Sequence, residues 1–137
     1  MIHQKPITQD FSSKLPAVTV FLSRQADVAF AYLFGSQATG RITAMSDIDI
    51  AVYLIEPYTT KRHLDLLGHL NDILKTDDID FVVLNSALLS LKYRIIKPRQ
   101  VICENQPFKR HAFESATIRE YFDFHKFESR ILEERFF

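Results

Sequence analysis

At 137 residues and 47% apolar, the chain has the size and composition of one globular domain, which excludes a disordered or fibrous class. Its 17 basic and 17 acidic residues cancel, and a net charge of zero counts against tight non-specific binding to nucleic acid, which needs a basic excess. No apolar run approaches the ~20 residues of a membrane span, the polar start MIHQKPITQDFSSKLP lacks an apolar signal segment, and a lone Cys103 excludes an internal disulfide framework or a zinc set, so a cytoplasmic protein is expected.

Residues 13–25 predict a first helix, with Ser12 or Ser13 as its cap, Pro16 near its start and an apolar stripe of Leu15, Val18, Phe21 and Leu22. DVAFAYLF, 27–34, is a nearly continuous apolar run of strand length, as expected for a strand buried on both faces, and Gly35 ends it. Residues 36–41 predict a turn or short helix, and 48–54 a second strand rich in β-branched residues. A helix over 59–76 starts at a Thr59 or Thr60 cap and keeps Leu64, Leu67, Leu70, Ile73 and Leu74 at helical spacing. A third strand (78–85), a helix stopped by Pro98 (86–97) and a short fourth strand (100–104) follow. After a turn at 105–107, the segment 108–137 predicts one long helix, broken at most once. The order gives an α/β (α+β) chain, 1–137, as a single domain with a small mixed four-stranded sheet flanked by helices.

Three places in this order suggest chemistry. Asp47 and Asp49 stand two apart at the start of a strand, so both point to one face, ~7 Å apart along the chain. Such a pair repels unless a cation lies between, and hard oxygen donors suit Mg²⁺; the alternative is a polar strand entry in which Asp47 caps a turn. Gly35-Ser36 follows a buried strand, where exposed backbone N–H groups can cradle an anion and the serine hydroxyl can donate to it; the alternative is an ordinary tight turn. Asp80 stands in an otherwise apolar strand between Ile79 and Phe81, where an unpaired carboxylate is costly. It either joins Asp47 and Asp49 or forms a salt bridge, with Arg94 or Lys97 as the available partners.

Taken together, Gly-Ser, ten residues, Asp-x-Asp and a later lone strand Asp resemble the signature of the DNA polymerase β-type nucleotidyltransferase superfamily. LFGSQATG, SDIDIAV and DIDFVVLNSALLSLKYRIIKPRQVICE are similar to its minimal nucleotidyltransferase (MNT) group in particular, over 15–104. The resemblance implies the nucleotidyltransferase fold and an antitoxin paired with a HEPN-family ribonuclease toxin. It implies neutralisation by Mg²⁺-dependent transfer of AMP from ATP to a toxin tyrosine hydroxyl, with pyrophosphate released. In those terms Gly35, Ser36 and Arg41 hold the nucleotide, and Asp47, Asp49 and Asp80 are the metal-binding, catalytic carboxylates. The group's usual arginine before the second glycine is Thr39 here, and Arg41 follows Gly40 as a substitute. Alternatives of other classes are a non-catalytic antitoxin that covers the toxin, or a nucleotidyltransferase for a small molecule or an RNA end.

With no second substrate domain, the acceptor must bring its own surface, which favours a protein substrate; no membrane and no direct nucleic-acid substrate are expected. In the last segment Ile118, Tyr121, Phe122, Ile131 and Leu132 are expected to face the core, and Phe124, Phe127, Phe136 and Phe137 to point elsewhere around the helix. Apolar residues on more than one side suggest a second buried surface, unless the helix wraps its own domain.

Overall fold

A computed structural model describes residues 7–35 and 48–136. The elements are α1 (Ile7–Ser23), β1 (Val28–Phe34), β2 (Ile48–Leu54), α2 (Thr60–Leu74), β3 (Ile79–Val83), a 3-10 turn (Leu84–Ser86), α3 (Leu89–Ile96), β4 (Gln100–Glu104) and α4 (Pro107–Phe136). The strands form one mixed sheet in the order β3-β2-β1-β4. β1 pairs antiparallel with β2 and β4, while β2 and β3 are parallel and joined through α2. This is the expected small mixed sheet flanked by helices.

Alternation along the strands divides the apolar residues between two cores. Ile48, Ile50, Val52 and Leu54 of β2 join Ala31 and Leu33 of β1 against Val18 and Leu22 of α1 and Leu66, Leu70 and Leu74 of α2. Ala51 and Tyr53 join Phe30, Tyr32 and Phe34 on the opposite face, against Ile95 and Ile96 of α3 and Phe113 and Ile118 of α4. All of β1 is buried, as the unbroken run DVAFAYLF requires of a strand covered on both faces.

Local chemistry sets the joints. The Thr59 hydroxyl accepts from the Arg62 N–H at 3.1 Å and starts α2. The Arg62 guanidinium then donates to both carboxylate oxygens of Asp27, at 2.7 and 2.8 Å, and ties α2 to the start of β1. The Asn85 amide accepts from Leu54 N–H at 2.9 Å and donates to Leu54 C=O at 2.7 Å, so it closes the far end of β2.

Several boundaries differ from the sequence expectation. α1 begins at Ile7, which places Pro16 inside the helix rather than at its start. In α2 the inward row is Leu66, Leu70 and Leu74, and Leu64 is exposed. α4 is one unbroken helix of 30 residues. Its first half lies on the sheet, where Phe113 packs 5.5 Å from Phe30 and Tyr121 stacks on Tyr93 at 3.8 Å. Beyond Tyr121 its apolar residues open to solvent: Phe122, Phe124, Phe127, Ile131 and Leu132 are all exposed. The inward placement expected for Phe122, Ile131 and Leu132 is therefore wrong, because the sheet ends before the helix does.

Candidate functional site

The site is built where β1 ends and β2 and β3 begin. Ile48 and Ile50 point into the core shared with α1 and α2, so Asp49 between them points to the opposite face. In β3, Ile79 and Phe81 pack on that same first core, and Asp80 points with Asp49. The parallel register sets Asp49 directly opposite Asp80, and the antiparallel register sets Phe34 opposite Asp49. One row across the sheet thus reads Phe34, Asp49, Asp80, with neighbouring backbones ~4.8 Å apart. Two carboxylates so close repel each other in the absence of a cation or a hydrogen-bond donor.

Gly35 follows Phe34 with φ 71, in the left-handed region that side chains disfavour. A methyl group placed on it would overlap Asp49 Oδ2 and sit 3.0 Å from Asp49 Cγ. Two requirements therefore converge on glycine: the turn's backbone angle and the room taken by the Asp49 carboxylate. The sequence pointed to the first requirement, and only the structure shows the second.

Asp49 is half-buried and Asp80 is exposed. Exposure of Asp80 corrects the expectation of a buried acid: β3 is an edge strand, and its entry is open. Among the described residues Asp80 forms no ion pair with Arg94 or Lys97. Ser36, Thr39, Gly40, Arg41 and Asp47 lie outside the described residues. Among the described residues no three His, Cys, Asp or Glu side chains converge as a metal-holding group. The described donor set is the Asp49–Asp80 pair, two hard carboxylates at an open mouth. That pair fits a divalent cation completing its shell with phosphate oxygens and water.

A second polar cluster was not foreseen from the sequence. Tyr32, fully buried, donates to Glu114 Oε2 at 2.5 Å, and Arg110 Nη1 donates to the same oxygen at 2.7 Å. Arg110 Nε also pairs with Glu104 at the end of β4. Burial, then the Glu114 carboxylate, push the Tyr32 hydroxyl far above its ordinary pKa. This cluster fixes α4 across β1 and β4. Its sequence signal is faint: one acid, Glu114, one turn before the inward-facing Ile118.

A glycine turn against a carboxylate, in register with a second carboxylate on one face of a mixed sheet, defines the class as nucleotidyl-transfer proteins. The family model described as polymerase beta, nucleotidyltransferase matches residues 17–108, and the chain belongs to that family. A chain of a tri-AMPylated Shewanella oneidensis HEPN toxin in complex with MNT antitoxin has the same fold, with a TM-score of 0.65 at 22% identity over 93% of this chain and 97% of that one. A chain of a toxin–antitoxin solved with AMP-PNP superposes with a TM-score of 0.66 at 24% identity, over 93% and 96% of the two chains. A chain of a point-mutant MntA–HpeT toxin–antitoxin gives a TM-score of 0.67 at 25% identity, over 90% and 95%. No curated protein sequence matches the chain significantly. No helix among the described residues is long and apolar enough to cross a membrane.

Proposed function

We propose that this chain is an MNT-type antitoxin that transfers AMP from ATP to a tyrosine hydroxyl of a HEPN-family toxin, in the cytoplasm. The observation that carries the proposal is the row Phe34–Asp49–Asp80 beside the left-handed Gly35. It supplies a carboxylate pair and an exposed backbone turn at one open end of the sheet. The fold of this nucleotidyltransferase family, shared with toxin–antitoxin complexes along nearly the whole chain, supports the same reading.

In the proposed reaction the Gly35-Ser36 turn receives the β- and γ-phosphates, with Arg41 as a further contact. Asp47 and Asp49 fix the α-phosphate end of the nucleotide, and Asp80 orients the acceptor hydroxyl and takes its proton. The acceptor oxygen bonds to the α-phosphorus as the bond from that phosphorus to the β-phosphate bridging oxygen breaks. The electron pair of that bond leaves with pyrophosphate. Asp47, Asp49 and Asp80 would hold Mg²⁺, which when bound would offset the negative charge on the phosphate oxygens. The rest of the protein's contribution is position and fixed charge.

The whole chain, 1–137, serves as one nucleotidyltransferase domain whose 108–137 segment meets the partner. Residues beyond Tyr121 leave Phe124 52% and Leu132 53% exposed. Exposed aromatic and aliphatic groups of this kind are what a protein interface buries.

The test is AMP transfer from labelled ATP by the Asp49→Ala/Asp80→Ala protein. Transfer should vanish while circular dichroism and melting stay near wild type. Transfer that persists would remove the carboxylate pair from the mechanism. Phe124→Ser with Phe127→Ser should leave melting unchanged and abolish binding to the partner; intact binding would place the interface elsewhere.

A further inference from the structure

Charge is divided unequally across the open end of the sheet. On the β3 side Asp77, Asp78 and Asp80 are all exposed. The chain from Leu89 to Cys103, through α3 into β4, carries Lys92, Arg94, Lys97 and Arg99 and no Asp or Glu. A chain with zero net charge thus gathers acids where it enters β3 and bases where it enters β4.

The register locates the basic edge. Gln100 lies opposite Leu33, so Arg99 enters the sheet beside Phe34. Phe34 is opposite Asp49, and Asp49 opposite Asp80. Read across the strands, the row is Asp80, Asp49, Phe34 with its Gly35 turn, then Arg99. Two strand spacings put the Arg99 backbone about 10 Å from that of Asp49, and an arginine side chain covers most of that distance.

The state of these bases also points to a ligand. Arg99 adopts φ 55, which non-glycine residues rarely take. Its side chain is 59% exposed, and its ion pair among the described residues is a 3.7 Å approach to Glu114 Oε1. The other Glu114 oxygen is already held by Tyr32 at 2.5 Å and Arg110 at 2.7 Å. So long and open a pair holds the guanidinium loosely. Lys97 is exposed and forms no ion pair among the described residues. Arg99, level with Phe34, and Lys97, two residues before it in the chain, are thus available to an anion.

We propose that Lys97 and Arg99 form the pyrophosphate end of the site. They bind the β- and γ-phosphates of the incoming triphosphate and the pyrophosphate that leaves. This rests on the nucleotidyl-transfer reading and gives it a direction: the acceptor enters from the acidic β3 edge and the leaving group departs towards β4. The competing explanation is local. Lys97 and Arg99 follow the last turn of α3, where cations also offset a helix C-terminus.

The test compares the full-length Lys97→Gln/Arg99→Gln protein with wild type in two assays. In AMP transfer, the KM for Mg-ATP and the inhibition constant of inorganic pyrophosphate should each rise about tenfold or more, with kcat changed far less and Arg99→Lys recovering part of the loss. In calorimetric titration with inorganic tripolyphosphate in EDTA, without partner, affinity should fall by a similar factor. Unchanged KM and tripolyphosphate affinity with a lowered melting temperature would assign both residues to the helix end and overturn the proposal. If wild type transfers no AMP at all, the function proposed above fails separately. Tripolyphosphate binding that weakens in the variant would then still support the anion site, and binding equal in both proteins would overturn it.

Discussion

Replacing Gly35 by alanine separates the two reasons for glycine at this position. The first is the backbone: at φ 71 an alanine costs about 1–2 kcal/mol. The second is room: the new methyl group overlaps Asp49 Oδ2, and forcing atoms into an occupied space costs about 1–3 kcal/mol. Gly35→Ala should therefore lower the unfolding free energy by about 2–5 kcal/mol. In an Asp49→Ala background the carboxylate is gone and the backbone cost alone remains, about 1–2 kcal/mol. Urea denaturation of the four proteins of this cycle measures the difference directly. An equal cost of Gly35→Ala in both backgrounds would refute the claim that Gly35 makes room for the Asp49 carboxylate.

Asp80→Asn should change stability by no more than ~0.5 kcal/mol, because the side chain is exposed, yet lower AMP transfer on the order of 100-fold or more; a variant that unfolds would make Asp80 a structural residue. Glu114→Ala strands the buried Tyr32 hydroxyl, leaves Arg110 with Glu104, and should cost about 2–4 kcal/mol by denaturant titration, and a loss under ~1 kcal/mol would remove the cluster as the anchor of α4. The hydrogen bond from Arg62, opposed by partial burial and aided by the guanidinium's charge, holds the Asp27 carboxyl below its ordinary pKa. Its folded value lies below its unfolded one, so this stabilisation is full above about pH 4 and is lost as pH falls through the folded value. Arg62→Ala should lower stability at neutral pH and flatten the decline below about pH 4; parallel acid limbs in the two proteins would contradict it.

Much of the fold was legible because period and punctuation agreed. The run 27–34 had to be a strand covered on both faces, and β1 is. Thr59, Pro98 and the spacing of Leu70 and Leu74 marked helices where they occur. Errors arose where tertiary placement overrode local pattern. Leu64 fits a helical stripe, but the packed row is one built on Leu66, because the sheet decides which side of α2 is inside. Phe122, Ile131 and Leu132 fit an inward face, but α4 outruns the sheet that would cover them.

The pairing at the site was legible only as a condition. The sequence required Asp80 to lie beside Asp49 if the two acted together, and the parallel register of β2 and β3 meets that condition. The openness of Asp80 was not legible, since an apolar-flanked acid reads alike in an edge strand and a central one. Nor was the contact of Gly35 with Asp49, which depends on the angle at which β1 leaves the sheet. Tyr32 and Glu114 are too far apart in the chain for any spacing rule to join them.

The central claim is transfer of AMP to a protein partner by this carboxylate site. The most direct measurement is the intact mass of the HEPN-family partner after incubation with this protein, ATP and Mg²⁺. The account predicts a mass increase of one or more AMP units, absent when the Asp49→Ala/Asp80→Ala protein replaces wild type. A tight complex whose partner gains no mass would contradict it.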